Sequence, residues 1–434
     1  MPTTTRYRRR WAALAVLLTA EAMNLLDATI VQVAGPVIHT DLPGPAADIP
    51  WFSAAYTLPF AVFLITGGRL GDILGRARVF KIGVAGFVLA SLACAAAPAA
   101  GLLIGARAVQ GAAAALVIPQ TIGLIRALFD GDELAKALGS IGPVMGLSAV
   151  TGPLLGGLLT QAVSWRAVFL VNVPLGLAVL LAARFLREDK AGTRPRLDLA
   201  GTALVVAGTG LLVYPLISPD GTSWPLLAAG AALLGVFGLH QRRTAAPLVE
   251  PSLFAHRGFP AALAGSLLFF AVMTGLMQVV PMQLQLGEGV DVRTAGLTLV
   301  PLSAGLAVAS WLAGSWLVPK FGARVMFAGL GLLLAGILAV AAGVTPALAL
   351  CGLGMGTFTV PFFTAALHRV RPHETGSAAG LLNAVQQLGG TLGVALLGGL
   401  YLSTGTATTA FGVAAGLTVA AAVAVIPLSS RRGR

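Results

Sequence analysis

Three ionisable residues lie well inside apolar stretches of this chain, and their types are suited to carrying a proton. Glu21 and Asp27 are the only two of the 16 acidic residues that fall deep within an apolar run, and both lie in the first one. Arg107, in the fourth run, is a cation that can pair with one of them. An ionisable side chain at membrane depth costs at least about 2.5–3.5 kcal/mol, so its presence indicates a function. The trio therefore predicts a proton-coupling site.

Helical geometry groups these residues. At about 100° per residue, Glu21, Asn24 and Asp27 fall within an arc of about 120°, so one face of the first helix is polar and must face a cavity. Asp27 and Arg107 lie at depths that differ by about 6 Å, within reach of a long arginine side chain. A static pair that only joins the first and fourth helices is the alternative, but it leaves Glu21 unexplained. We expect Glu21 to bind cationic substrates or to carry a second proton.

Composition places most of the chain in lipid. Of its 434 residues, 57% are hydrophobic and only 10% are charged, whereas a soluble protein carries about 25% charged residues. The net charge of +12 is spread over several short loops, which argues against a nucleic-acid partner. Cys94 and Cys351 lie in apolar runs and are interpreted as buried thiols. The expected partners are the lipid bilayer and a small-molecule substrate, with no metal and no cofactor other than the coupling proton, and the chain is expected to act as a monomer.

Fourteen apolar runs are each long enough to cross about 30 Å of hydrocarbon as a helix. They lie near 11–36, 51–70, 79–98, 101–125, 138–161, 166–186, 199–217, 224–241, 259–283, 295–317, 325–343, 346–367, 376–401 and 409–428. With both termini in the cytoplasm, the cytoplasmic segments hold 25 of the 28 Lys and Arg residues, as the positive-inside rule requires. One alternative stays open: a re-entrant hairpin over 199–241 would leave twelve spans.

An internal repeat predicts the domain organisation. The sequence at 67–78 (GGRLGDILGRAR) leaves the second run, and 314–324 (GSWLVPKFGAR) leaves the tenth in a similar way. The predicted fold is an all-α membrane protein with two pseudo-symmetric six-helix bundles, 1–190 and 258–434, joined by a linker, 191–257, with two inserted transmembrane helices. Paired bundles with a site between them are typical of secondary transporters.

Five motifs, in order and at the expected span ends, resemble the fourteen-span drug:proton antiporter branch of the major facilitator superfamily. They occupy 26–36, 68–76, 107–111, 139–157 and 165–174. The resemblance covers essentially the whole chain. It implies a multi-pass protein of a bacterial cell membrane that works by alternating access.

The motif at 68–78 predicts a conformational latch on the cytoplasmic side. Its glycines allow two helix ends to approach closely, and Asp72 can accept charge-assisted hydrogen bonds. We expect such a cluster to hold the two bundles together in one state and to release them in the other. A basic loop that only sets orientation is the alternative. The latch residues are Gly68, Arg69, Asp72, Gly75, Arg76 and Arg78.

The fifth run carries Gly152, Pro153, Gly156 and Gly157, which match the motif associated with antiporters. Small residues let helix backbones touch, and proline removes an internal hydrogen bond and permits a bend. A purely structural role and a role in gating are about equally supported.

The substrate cavity is predicted from amides and aromatic residues, because the C-terminal half has no acid or base at mid-depth. An apolar cavity with a few amides suits bulky, lipophilic compounds. The candidate residues are Asn24, Gln110, Phe269, Gln278, Gln283, Trp311, Asn383, Gln386 and Gln387.

The predicted function is export of hydrophobic, often cationic small molecules in exchange for protons. Proton-coupled uptake of a small nutrient is the alternative, and it would need a denser polar lining. A membrane enzyme is disfavoured because all five His residues lie at span ends or in loops, without metal-ligand spacing. A primary pump is excluded because the chain lacks a G-x-x-x-x-G-K-[ST] phosphate-binding loop.

Overall fold

The computed structural model describes residues 9–186, 188, 197–218, 223–244, 247–255, 258–368, 370–371 and 374–429. All regular secondary structure in these ranges is helical, as the long apolar runs predict. The predicted domain boundaries, after residues 190 and 257, fall at segments outside the described residues, as do several basic residues of the predicted cytoplasmic loops. The domain boundaries and the orientation of the termini therefore stay predictions.

The chain up to residue 186 forms eight helices, and we call this part the N-half. Short helices precede or continue the longer spans where the chain turns back at the membrane surface. The helices are α1 (Arg10–Asp41), α2 (Asp48–Leu74), α3 (Arg76–Ala95), α4 (Ala100–Leu128), α5 (Gly131–Gly139), α6 (Ile141–Ala162), α7 (Trp165–Leu170) and α8 (Asn172–Ala182).

Two helices follow as a hairpin, α9 (Leu199–Ile217) and α10 (Trp224–Arg243). The remaining helices form the C-half. They are α11 (Gly258–Met282), α12 (Val292–Thr298), α13 (Val300–Leu312), α14 (Val318–Phe321), α15 (Val325–Ala341), α16 (Leu348–Leu367), α17 (Thr375–Thr404), α18 (Ala407–Ala424) and α19 (Ile426–Ser429).

The number of spans agrees with the sequence. Thirteen described segments are long and apolar enough to cross a membrane, and one of them, Val292–Ala341, has 50 residues. Fifty helical residues would extend about 75 Å, more than twice the hydrocarbon thickness. This segment breaks at Gly322, whose φ is +63°, and so provides two spans. The described chain therefore forms fourteen spans.

The hairpin consists of two full-length helices of 19 and 20 residues. Each is about as long as the hydrocarbon is thick. Its two helices meet at Gly208 and Gly230, where a Cβ atom on Gly230 would lie 2.8 Å from the Gly208 carbonyl oxygen. The shorter re-entrant hairpin considered above is therefore not what the chain forms.

Equivalent helix contacts recur in the two halves. In the N-half, Gly111 of α4 lies against the backbone carbonyl of Tyr56 on α2. In the C-half, Gly352 of α16 lies against the backbone carbonyl of Leu302 on α13. In both places the absence of a side chain lets two backbones touch, which is how membrane helices gain packing without a hydrophobic driving force. These contacts extend the internal repeat from sequence to structure.

Candidate functional site

The centre of the N-half is an ion pair with no solvent exposure on either side chain. Asp27 Oδ2 accepts a hydrogen bond of 2.5 Å from Arg107 Nη1. Asp27 Oδ1 accepts two more, from Gln110 Nε2 at 2.9 Å and from Asn172 Nδ2 at 2.7 Å. The Gln110 amide also donates to the Ser91 hydroxyl at 2.9 Å. Both carboxylate oxygens of Asp27 thus accept hydrogen bonds from donors on α4 and α8.

Arg107 has partners on every side except one. Its Nε donates to the Phe52 backbone carbonyl at 2.9 Å, and its Nη1 also donates to Gln110 Oε1 at 2.6 Å. The guanidinium carbon lies 4.3 Å from the centroid of the Tyr56 ring. Its Nη2 atom is buried without a hydrogen-bond partner in the structure. A buried guanidinium so placed depends on Asp27 for charge compensation.

Backbone packing fixes these side chains. Because Gly111 has no Cβ, α2 and α4 touch at Tyr56, one turn from Arg107. Asn172 is the first residue of α8, so the turn between α7 and α8 presents its amide to Asp27. The prediction that Asp27 and Arg107 come together therefore agrees with the geometry, and five helices supply the surroundings.

Sequence reasoning missed three members of this site. Ser91 and Tyr56 are single polar residues within apolar runs, which is a weak signal. Asn172 lies in the 165–174 motif, and that motif was the available signal for it. All three are buried, with Tyr56 only 1% exposed.

Glu21 lies on the same face of α1 and is 7% exposed. The Thr121 hydroxyl of α4 interacts with its carboxyl group. Between the two acids, Asn24 accepts a hydrogen bond from the Tyr56 hydroxyl through its Oδ1 atom, and its Nδ2 atom is buried without a partner. The polar face of α1 is thus a continuous row that packs against α2 and α4.

Three residues predicted to line a substrate cavity are buried in packing instead. Gln110 belongs to the ion-pair site and Phe269 stacks on Phe358 with ring centroids 4.2 Å apart, and both are fully buried. Gln278 is also fully buried, and its Oε1 accepts a hydrogen bond of 3.1 Å from Ser53 of the N-half. In this conformation these three side chains contact protein, and their role in lining a substrate cavity stays a prediction.

The other cavity candidates are dispersed. Gln283 lies in a π-helical turn, Gln283–Gly287, at the end of α11, where it donates to Glu288, so it is not at mid-depth. Trp311 is 69% exposed on the same face of α13 as Val308 and Leu312, an apolar face suited to lipid. The remaining C-half candidates are partly exposed on the middle of α17: Asn383, Gln386 and Gln387.

The latch motif forms the junction of α2 and α3. Asp72 pairs with Arg76 at 2.9 Å, at the junction of α2 and α3. Gly75 has a φ of +106°, and a Cβ there would collide with the Glu188 carboxylate, which accepts a hydrogen bond of 3.1 Å from the Ala77 amide. That carboxylate lies at the N-terminus of α3, where negative charge is stabilising.

The motif also contacts the segment between α10 and α11, where Arg69 donates to the Pro247 carbonyl. Gly68 packs on Pro119, and Arg78 is exposed. In the described chain, the Asp72 ion pair does not reach the C-half. The expectation that this cluster holds the two bundles together in one state and releases them in the other stays a prediction.

The glycines of α6 lie where the two halves meet, near the membrane surface that carries Asp41; we call this the Asp41 end. Gly152 and Gly156 lie against Thr29 and Ile30 of α1, whereas a Cβ on Gly157 would lie 2.7 Å from the Val292 carbonyl of the C-half. A second link there is the hydrogen bond of 3.2 Å from the Arg293 amide to Gln161.

Pro153 takes part in the same contact. Its carbonyl oxygen would lie 2.5 Å from a Cβ placed on Gly296 of α12. Nearby, Gln285 donates to the Val33 carbonyl at 2.9 Å. At the Asp41 end, the α6 motif thus contacts the C-half through backbone atoms.

Comparisons with known proteins agree with this architecture. Solved structures with the same fold include a D-xylose–proton symporter, at a TM-score of 0.68 and 14% identity over 97% of this chain and 98% of that one. A peptide transporter of the POT family gives a TM-score of 0.69 at 15% identity, over 96% of this chain and 94% of that one. At such low identity these two show the fold alone.

Sequence relatives are more similar. The chain is 44% identical to a probable actinorhodin transporter of Streptomyces coelicolor, over 91% of this chain and 73% of that protein. It is 37% identical to the puromycin resistance protein pur8 of Streptomyces alboniger, over 96% and 89%. It is 33% identical to the tetracenomycin C resistance and export protein of Streptomyces glaucescens, over 91% and 76%.

The family model described as Major Facilitator Superfamily matches residues 17–394. This match runs from the first span, through the buried ion pair and the hairpin, to the middle of α17. The chain therefore belongs to the major facilitator superfamily, and it is a multi-pass transporter of a bacterial cell membrane rather than an enzyme.

Proposed function

We propose that this protein exports hydrophobic, often cationic small molecules, such as antibiotics or related natural products, in exchange for protons. The three relatives described above are named for transport of, or resistance to, such compounds. They match 91–96% of this chain. The protein acts as a monomer, with the proton as its coupling ion and no other cofactor.

The observation that carries the proton coupling is the ion pair between Asp27 and Arg107. Removing one partner of a buried pair leaves an uncompensated charge and costs about 3–5 kcal/mol. Protonation of Asp27 does this reversibly, because it neutralises the carboxylate and leaves the guanidinium alone. The protein then has an energetic reason to rearrange, and alternating access supplies the rearrangement.

The substrate preference follows from Glu21. This second carboxyl lies on the polar face of α1, almost fully buried, and it has no arginine or lysine paired with it in the described part of the chain. A bound organic cation would supply the missing charge partner. We therefore assign Glu21 to recognition of cationic substrates and Asp27 to the proton.

The test is proton exchange in everted membrane vesicles. A pH-sensitive dye reports the proton gradient, and addition of substrate should dissipate it in the wild type. The Asp27→Asn variant replaces the titrating carboxyl with an amide of equal size. It should therefore lose this response, and its efflux rate should fall at least tenfold.

Asp41→Asn is the matched control. Asp41 pairs with Arg166 at 2.7 Å, but it is about half exposed, so an ion pair there contributes little. Asp41→Asn should exchange protons like the wild type. Unchanged substrate-induced proton flux in Asp27→Asn would refute the coupling role of Asp27. Movement of substrate and protons in the same direction would show that the protein is a symporter and would refute the proposed exchange.

A further inference from the structure

Tyr56 contacts both Arg107 and Asn24, which lies on the polar face of α1. Its ring lies under the guanidinium, 4.3 Å from ring centroid to guanidinium carbon, and its hydroxyl donates to Asn24. The ring is 1% exposed and the guanidinium is fully buried, so water does not screen their interaction. A cation on an aromatic face is more strongly stabilised when both are desolvated.

Backbone contacts fix the position of the ring. Gly111 of α4 lies directly against the Tyr56 backbone, and Arg107 Nε donates to the carbonyl of Phe52, one turn earlier on α2. The distance between the ring and the guanidinium is therefore set by α2 and α4, and it does not require Asp27.

The ring interacts differently with the two protonation states of the site. In the ion pair, the negative face of the ring attracts Arg107, but the adjacent carboxylate already cancels most of that charge. Once Asp27 is protonated, Arg107 is a lone buried cation, and the ring becomes one of its few remaining partners. The ring thus stabilises the protonated state more than the ion pair.

Resting on the proposed function, we infer that Tyr56 is a positioning residue that holds Arg107 in place while Asp27 is protonated. It stabilises the guanidinium that has lost its charge partner, so that a proton can bind to Asp27 before Arg107 moves. The Phe52 and Gln110 carbonyl oxygens complete the site that retains the guanidinium.

The charged and titratable groups around the site are few. Among the described residues they are Glu21 on α1, Cys94 on α3, 3.6 Å from Gln110 Oε1, and Arg107 itself on α4, whereas α8 contributes the neutral Asn172. Glu21 is the other acid whose titration can enter a pH profile in the range of interest. Any assay must therefore separate Glu21 from Asp27.

The experiment measures the melting temperature of the purified, detergent-solubilised protein against pH. The same curve for Asp27→Asn is subtracted, so that the difference reports the loss of the ion pair on protonation of Asp27 and excludes Glu21. This readout needs no transport, so it tests Tyr56 even if the proposed export proves wrong. Failure of proton exchange in vesicles, by contrast, would refute the proposed function and leave this result standing.

Tyr56→Leu removes the ring and should move the midpoint of the difference curve to lower pH by about one unit, because the protonated state loses its partner. Tyr56→Phe keeps the ring and should retain the wild-type midpoint. Each variant is paired with its own Asp27→Asn double variant for the subtraction.

Phe60→Leu is the matched control. Phe60 lies one turn from Tyr56 on the same helix, with ring centroids 5.8 Å apart, and is 5% exposed. It should lower the melting temperature at every pH without moving the midpoint. An unmoved midpoint in Tyr56→Leu, or a shift in Tyr56→Phe as large as in Tyr56→Leu, would overturn the inference.

Discussion

Single residues explain why the ion pair was predictable and its surroundings were not. A carboxylate or guanidinium in hydrocarbon is so costly that its occurrence in an apolar run stands out, as with Asp27 and Arg107. Uncharged polar residues such as Ser91 and Tyr56 cost far less there, so their occurrence carries little information. Their roles depend on which helices meet, and α1, α2, α3 and α8 meet only in the folded protein.

The same limit applies to the cavity candidates. An amide in an apolar run shows that a polar partner exists, but not whether that partner is substrate or protein. For Gln110 and Gln278 it is protein: Asp27 and Ser91 for the first, Ser53 for the second. Sequence alone does not separate these cases.

At this scale we predict a division of labour between the two acids. Glu21→Gln should lose efflux of a permanently charged cation by about tenfold and keep efflux of an uncharged substrate, because only the cation needs the carboxylate. Asp27→Asn should lose both. The measurement is efflux of one substrate of each kind from cells that carry each variant.

An equal loss of both substrates in Glu21→Gln would instead place Glu21 in the coupling site. Thr121→Val serves as the control, since it removes the hydroxyl that interacts with Glu21 and keeps the carboxyl. It should weaken cation efflux less than Glu21→Gln does.

At the scale of helices, hydropathy and length predict the spans well, because the thickness of the bilayer fixes both. The breaks inside spans are not predictable in the same way. The π-helical turns Gln283–Gly287 and Ala313–Leu317 depend on local packing. The partners of the 68–78 motif were missed for a related reason, because Glu188 and Pro247 come from distant connections.

The contact between α6 and α12 leads to a second prediction. Gly157→Val should prevent the close approach at the Asp41 end and favour the conformation open at that end, since a Cβ there already meets the Val292 carbonyl at 2.7 Å. Disulfide formation between Gln161→Cys and Arg293→Cys measures the closed state, because these residues share a hydrogen bond. We expect at least a fivefold slower crosslinking rate.

Gly142→Val is the matched control for this variant. Gly142 lies on the same helix, and a Cβ there has no neighbour within 4 Å. Crosslinking in Gly142→Val should match the parent protein. If Gly157→Val crosslinks just as fast, the α6 glycines serve packing alone and not gating.

For the whole molecule, one aspartate at the start of α9 joins the two helices of the hairpin, α9 and α10. Asp198 accepts hydrogen bonds of 2.8 Å from the Gly201 amide, 2.8 Å from His240 and 2.7 Å from Gln241. Burial by itself would raise the pKa of this carboxyl, but the hydrogen bonds outweigh it and lower the pKa below its usual 3.8. The charged form therefore stabilises the attachment at neutral pH, and this contribution is lost only as the pH falls below about 4.

Asp198→Ala should loosen the first turn of α9, whose Thr202 lies against Thr66 of α2. Removing the acceptor leaves the amide of Gln241 and the start of α9 unsatisfied, at a cost of roughly 2 kcal/mol. The readout is disulfide yield between Thr66→Cys and Thr202→Cys, whose native hydroxyls lie 3.1 Å apart. We expect a lower yield together with a lower melting temperature.

Asp291→Ala is the control for that variant. Asp291 also caps a helix, accepting hydrogen bonds from the Arg293 and Thr294 amides, but it is exposed and lies at the opposite end. It should leave the disulfide yield unchanged. An equal yield in Asp198→Ala would show that the hairpin is held by its apolar contacts alone.

The distance along the chain between the two ends of the ion pair has a consequence for biosynthesis. Asp27 and Arg107 are 80 residues apart, and ribosomes add about 5–20 residues per second. Asp27 is therefore synthesised about 4–16 s before Arg107. During that interval the nascent helix is stabilised in the bilayer only if the carboxyl is neutral or faces the insertion machinery, so α1 becomes firmly seated after α4 arrives.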